Sequence, residues 1–214
     1  MSHLFAEDIA QLPSRYRANL INSVTGYKSC NLLGSKSADG HTNLAIFSSV
    51  IHIGSSPPLL GFILRPLTVR RDTFTNIKDL GYFTVNQVSV EMYHRAHQTS
   101  AKYEKEVSEF DEIGFKVEYL DDFEAPYVAE STIKIGCKYV NHYPLEENDC
   151  LLVIGSIERL YFPKEIQDSD GFIRLDKAAT VTSMGMDGYA LPAYLERLTY
   201  ARPGSEPSTL INGT

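Results

Sequence analysis

Between residues 44 and 64 the chain is almost unbroken strand-forming sequence. LAIFSSVIHI runs over 44–53, Gly54-Ser55-Ser56-Pro57-Pro58 interrupts it, and 59–64 resumes as a wholly apolar run. β-Branched and aromatic side chains at this density favour extended backbone, and the Gly/Ser/Pro cluster punctuates it. An apolar run without polar alternation fits a strand buried on both faces. Shorter strand signals surround this pair. One lies at 27–33 before turn chemistry at Ala38-Asp39-Gly40-His41, and others at 82–85, 115–119 and 150–162. Residues 131–139 alternate, with Ile133, Ile135 and Cys137 opposing Lys134, Gly136 and Lys138.

Helical signals are few and short. Residues 72–80 place Phe74, Ile77 and Leu80 on one side, with Asp72 or Thr73 as an N-cap and Gly81 as a stop. Residues 91–97 and 105–113 are further candidates, the second with Val107, Phe110 and Ile113 at a spacing of three. Residues 1–20, with Arg15, Tyr16 and Arg17, read as a lead-in to the first strand, and 193–214 as a tail. Many strands at short spacing with minor helices predict a barrel or sandwich rather than a doubly wound sheet. No GxGxxG follows a strand, which argues against a Rossmann nucleotide site. With no repeat and no low-complexity linker, 1–214 reads as one domain.

A formal net charge of -7 and a pI near 5.4 exclude a broadly basic surface for nucleic acid or anionic membrane. No apolar run reaches the roughly 18 residues needed to span a bilayer. The first residues lack a basic stretch followed by an apolar one, so a cytoplasmic location is expected. Cys30, Cys137 and Cys150 are odd in number and widely spaced, which predicts buried free thiols rather than a disulfide framework.

The stretch from Asn43 to Asn86 carries the chemistry. Phe47-Ser48-Ser49 sets polar residues in an apolar strand, and Arg70-Arg71-Asp72-Thr73 opens the helix at 72–80. Two arginines and a hydroxyl at a helix N-terminus form a plausible anion site, where charge-assisted hydrogen bonds add to the helix dipole. The same residues also suit a solvated loop. His94 and His97 share a helical face, but no carboxylate or cysteine lies close in sequence, so no metal is expected. The acidic groups Asp121-Asp122 and Glu146-Glu147-Asn148-Asp149 read as solvated loops, and Tyr194 and Tyr200 as packing residues.

The order of these pieces resembles the flavin-reductase-like FMN-binding family. The matching segments are NLAIFSSVIHIGSSPPLLGFILRP, RRDTFTNIKDLGYFTVN, HRAHQTSAKYEKEVSEFDEIGF, APYVAESTIKIGCKY, LLVIGSIERLYF and TSMGMDGYALP. They cover roughly residues 27–192. The resemblance implies a mainly β fold, a Greek-key split β-barrel with a few short helices, assembled as a homodimer with FMN near the subunit interface. It further implies that Phe47, Ser48 and Ser49 lie along the flavin and that Arg70, Arg71, Asp72 and Thr73 hold its phosphate. Asn43 and Asn86 are lesser candidates. His97, Thr99 and Ser100 would line the substrate side, and residues 185–189 would close over the partner's flavin. The implied activity is hydride transfer from NADH or NADPH through FMN to flavin, oxygen or a small organic acceptor. The alternatives are a non-catalytic FMN-binding or electron-carrier protein, and a pyridoxamine-phosphate-oxidase-like or haem-binding barrel.

Overall fold

The computed structural model describes residues 1–104 and 106–210. Two helices lead in, α1 (Ala6–Gln11) and α2 (Ser14–Val24), before strands β1 (Lys28–Ser29), β2 (Asn31–Lys36), β3 (Thr42–Phe47), β4 (Ile51–Ser55) and β5 (Pro58–Leu64). Helix α3 (Asp72–Leu80) and strand β6 (Tyr82–Gln87) follow, then α4 (Tyr93–Gln98), α5 (Glu109–Ile113) and the short pair β7 (Val117–Glu118) and β8 (Tyr127–Val128). The long strands β9 (Lys134–Leu145) and β10 (Cys150–Tyr161) come next, then a 3₁₀ turn at Lys164–Ile166 and the strands β11 (Thr182–Met184) and β12 (Gly188–Ala190).

Among the described residues, seven strands form one antiparallel sheet in the order β3-β2-β6-β9-β10-β5-β4. A sheet of this length curls under its own twist. Its inner face carries Leu33, Phe62, Leu64, Phe83, Val85 and Val153, all buried, and α3 adds Phe74 and Ile77 to the same core. Strand β2 is buried on both sides, because Leu32 faces a second core formed with Leu44 and with Met92, Ala96 and Phe110 around α4 and α5. Gly155 lets Phe83 cross the barrel: a Cβ there would stand 2.6 Å from the ring's Cζ. β1, β11 and β12 form a separate three-stranded sheet.

Several expectations change at this level. The lead-in before the first strand consists of two helices; Arg17 Nη1 donates to the Ala10 carbonyl at 2.7 Å and ties them together. The 27–33 signal divides into β1 and β2 around Cys30. The run at 44–53 is not one strand: it leaves the sheet at Ser48–Val50 and re-enters as β4 on the opposite edge. β9 continues past Tyr139 to Leu145, because β10 pairs with it over that whole length. Helix α3 has the expected bounds and ends on Gly81 in the left-handed region, but its N-cap is Arg71, whose side chain makes no capping bond. The 105–113 helix is reduced to Glu109–Ile113, and Lys105 lies outside the described residues, as do 211–214 of the tail. Cys30 and Cys137 are buried, and Cys150 is half-buried.

Candidate functional site: the bend and the helix start

The bend after β3 is built by side chains that replace missing backbone pairing. Ser49 Oγ accepts from the Ile63 amide at 3.1 Å and donates to the Ile63 carbonyl at 3.0 Å. One hydroxyl thus satisfies both polar groups of a β5 residue on the edge where β4 pairing has ended, while β10 lies along the other edge. Ser29 Oγ donates to the Val50 carbonyl at 2.8 Å and fixes the other side of the bend. The Phe47 ring sits edge-on to Phe62 with centroids 5.1 Å apart, so it anchors the bend in the core. Ser48 is half-buried between Phe47 and Ser49.

From Ile63 the chain needs only a few residues to reach the helix start. β5 ends at Leu64, and Arg71 Nε donates back to the Pro66 carbonyl at 3.4 Å. Arg70 is exposed; its Nε donates to Asp72 Oδ2 at 2.9 Å and its Nη2 reaches the Tyr103 carbonyl at 3.5 Å. Arg70 and Arg71 thus precede the first turn of α3, Arg70 bound to Asp72 in that turn and Arg71 turned back to Pro66, and the N-terminus has no side-chain cap. Amide groups at such a terminus favour an anion, and the adjoining arginines add charge. An exposed pair such as Arg70–Asp72 contributes little to stability.

The other candidate residues lie deeper. Asn43 Nδ2 donates to Thr73 Oγ1 at 3.0 Å and to Ser35 Oγ at 3.1 Å, and Asn76 Nδ2 reaches the same Ser35 oxygen at 3.3 Å. These buried groups lock α3 onto β2 and β3 beneath the rim rather than facing outward. Asn86 is wholly buried. Its Nδ2 donates to the Leu32 carbonyl at 3.1 Å and to Thr84 Oγ1 at 2.8 Å, while its Oδ1 accepts from the Val128 amide at 3.1 Å. With all three bonds internal, Asn86 ties β2, β6 and β8 together and has no surface to offer a ligand.

Thr99 and Ser100 turn back on α4, donating to the Ala96 and His97 carbonyls at 2.8 and 2.7 Å, and Thr99 is buried. His97 is exposed, and its Nδ1 lies 2.8 Å from Tyr189 Oη. That contact brings the tail hairpin onto α4 within the same subunit. Burial, with Cys30 and Asp187 as lesser influences, pushes the Tyr189 hydroxyl up to about 12, so it stays protonated at neutral pH. Ninety-two residues separate the two partners, and nothing local in the sequence announces the pairing.

Glu109 is a residue the sequence reading passed over. At the start of α5 its Oε2 accepts from the Leu44 amide at 3.0 Å, closing part of the free edge of β3. Burial raises its carboxyl above the ordinary glutamate range, opposed by the Leu44 bond.

A curled antiparallel sheet opened at one bend, with a helix capping its core, is a split barrel. Residues 29–180 match the flavin reductase like domain, and the chain belongs to that family. A split-barrel protein assigned as a flavin reductase, from Shewanella frigidimarina, is 46% identical, with 94% of this chain and 100% of that chain covered and a TM-score of 0.91. Nitrilotriacetate monooxygenase component B from Bacillus cereus shares the fold at 20% identity, covering 92% and 98% of the two chains with a TM-score of 0.81. The 2-nitrobenzoate 2-nitroreductase of Pseudomonas fluorescens does so at 22% identity, covering 96% and 99% with a TM-score of 0.80.

Proposed function

We propose that this protein is an FMN-binding oxidoreductase of flavin-reductase type that takes a hydride from NADH or NADPH and passes it to flavin, oxygen or a small organic acceptor. The observation that carries this reading is the start of α3, which no side chain caps and which Arg70 and Arg71 directly precede, joined through Pro66 and Ile63 to the Ser49 bend. The donor set suits a phosphate monoester: two guanidinium groups and the positive end of a helix dipole.

Bound FMN would supply the hydride chemistry through its ring, and the protein would supply orientation and polarity. Arg70 and Arg71 would hold the phosphate, and the α3 N-terminus with Asp72 and Thr73 would frame it. Asp72 gives up its partner Arg70 to the anion, while the buried Asn43–Thr73 bond keeps the first turn rigid. Phe47, Ser48 and Ser49 would form the floor beneath the rest of the cofactor. Ser49 acts there by fixing the bend, since both of its hydrogen-bonding roles are already filled by Ile63. His97 with Tyr189 would border the substrate side. The two distant neighbours act in a monooxygenase system and on a nitroaromatic compound, which fits a cofactor module whose acceptor is set by its surroundings.

A homodimer is part of the proposal. β4 is an edge strand whose Ile51 and Ile53 are 49% and 41% exposed, and apolar edges of this kind are normally covered.

The test is an FMN titration of Arg70→Ala/Arg71→Ala against the unaltered chain. Two charge-assisted bonds are removed, so affinity should fall at least about tenfold while the thermal transition stays in place. Unchanged affinity would remove the phosphate assignment.

A further inference from the structure

Two buried amides sit beneath a group of carboxylates beside α3. Asn43 and Asn76 are 9% and 6% exposed, and the Nδ2 of each donates to Ser35 Oγ, at 3.1 and 3.3 Å. Neither carbonyl oxygen accepts a hydrogen bond among the described residues. The unpartnered side-chain atoms sealed from solvent there belong to Asn31 and Tyr127 instead. The Asn43 and Asn76 oxygens therefore open on accessible space, and both residues line one recess, a cavity of about 110 Å³. A buried acceptor facing such a space calls for a donor.

The rest of the lining decides the charge of that donor. Asp72 and Glu109, both half-buried, line the cavity with the amides, and the exposed Asp39, Glu104 and Glu106 complete it. The exposed His41 apart, no basic side chain lines it among the described residues. Burial raises the Glu109 carboxyl and the Asp72 charge adds to the rise, so the two acids sense each other. A cleft lined by one sign of charge gathers ions of the other. Among the described residues, however, no three His, Cys, Asp or Glu side chains come together to hold a metal ion. An ammonium group makes no such demand, because its three N–H donors accept neutral carbonyls as readily as carboxylates.

We infer that this cavity binds a linear aliphatic diamine. One ammonium group donates to the Asn43 and Asn76 carbonyls and to the Asp72 or Glu109 carboxylate, and the other is held by Glu104 and Glu106. Val107 is the only large apolar side chain in the lining among the described residues, which suits a short methylene chain and not a ring system. The site shares Asn43 and Asp72 with the start of α3, so its test is run without FMN and its outcome does not depend on the flavin reading.

The test is calorimetric titration of the whole chain at neutral pH and low ionic strength with putrescine, which carries two ammonium groups, and butylamine, which carries one. Putrescine should bind once per chain and about fivefold more tightly or better, as an added pair of exposed carboxylates predicts. Glu104→Gln/Glu106→Gln should leave only the roughly twofold advantage of two equivalent ends. Glu109→Gln and Asn76→Ala should each weaken both amines about fivefold or more. Should Asn76→Ala fail to fold, Glu109→Gln and the ratio of the two amines in the unaltered chain decide the matter. Mg²⁺ carries the same charge as putrescine and should not displace it at equal concentration. Displacement by Mg²⁺, affinities unmoved in Glu109→Gln, or no saturable uptake of putrescine would overturn the assignment and leave a general acidic surface.

Discussion

At Asn86 the side-chain amide is held from three directions by Leu32, Thr84 and Val128. Removing it strands a buried carbonyl and a buried N–H, each costing about 1–3 kcal/mol. Asn86→Ala should therefore lower stability by about 2–4 kcal/mol in urea denaturation, while FMN affinity of the folded fraction stays the same. A selective loss of FMN binding at unchanged stability would restore it to the cofactor site. From sequence, an asparagine closing an F-x-V-N strand reads as well for a ligand as for a core amide. The two differ only in what the neighbouring strands present to it, and that is set by tertiary pairing. Ser49 is a comparable case: the sequence shows a polar residue in an apolar strand, but neither the bend it sits in nor its two bonds to Ile63 is legible there. That Arg70 and Arg71 directly precede a helix is legible because charge and helix polarity are local properties; their role at the phosphate is the proposal that the FMN titration tests.

Helix α3 was readable because its apolar spacing, and Gly81 in the left-handed region after it, are both written locally. The bend at Ser48–Val50 was not, since β-branched and aromatic residues stand on both sides of the two serines and no glycine or proline marks it. The lead-in helices bury no residue, so no apolar stripe announced them. Two element-scale consequences can be measured. Glu109 holds its proton to a higher pH in the folded chain than in the unfolded one, because burial raises its carboxyl. The native state then binds more protons, and stability falls as pH rises from the ordinary glutamate region, about 4.3, through the raised folded value. Glu109→Gln, which keeps an acceptor for the Leu44 amide, should flatten this slope in melting curves taken across that interval. A slope identical to that of the unaltered chain would exclude Glu109 as its source. At the sheet edge, Ile51→Asp/Ile53→Asp should convert a dimer into a monomer in sedimentation analysis, since the exposed apolar edge is replaced by charge. A double variant that sediments as the parent does would place the interface elsewhere.

For the molecule as a whole, the barrel positions two kinds of surface on one scaffold. One end carries Arg70 and Arg71 at the start of α3, and the other an apolar pocket lined by Phe172, Ile173, Leu175 and Val181. Among the described residues no helix is long and apolar enough to cross a membrane. The mainly β architecture followed from strand density, which left barrel and sandwich open; the split barrel followed from the family resemblance, and the sheet order, with β3 and β4 on opposite edges, depends on contacts far apart in sequence. The central claim is that the chain binds FMN and reduces it with a nicotinamide nucleotide. The most direct measurement is the visible spectrum of the purified protein titrated with FMN, followed by anaerobic NADH or NADPH. The account predicts saturable binding and prompt bleaching of the flavin bands, faster than with free FMN. Absence of FMN uptake would contradict it outright, and bound flavin that NADH and NADPH bleach no faster than free FMN would leave a carrier in place of a reductase.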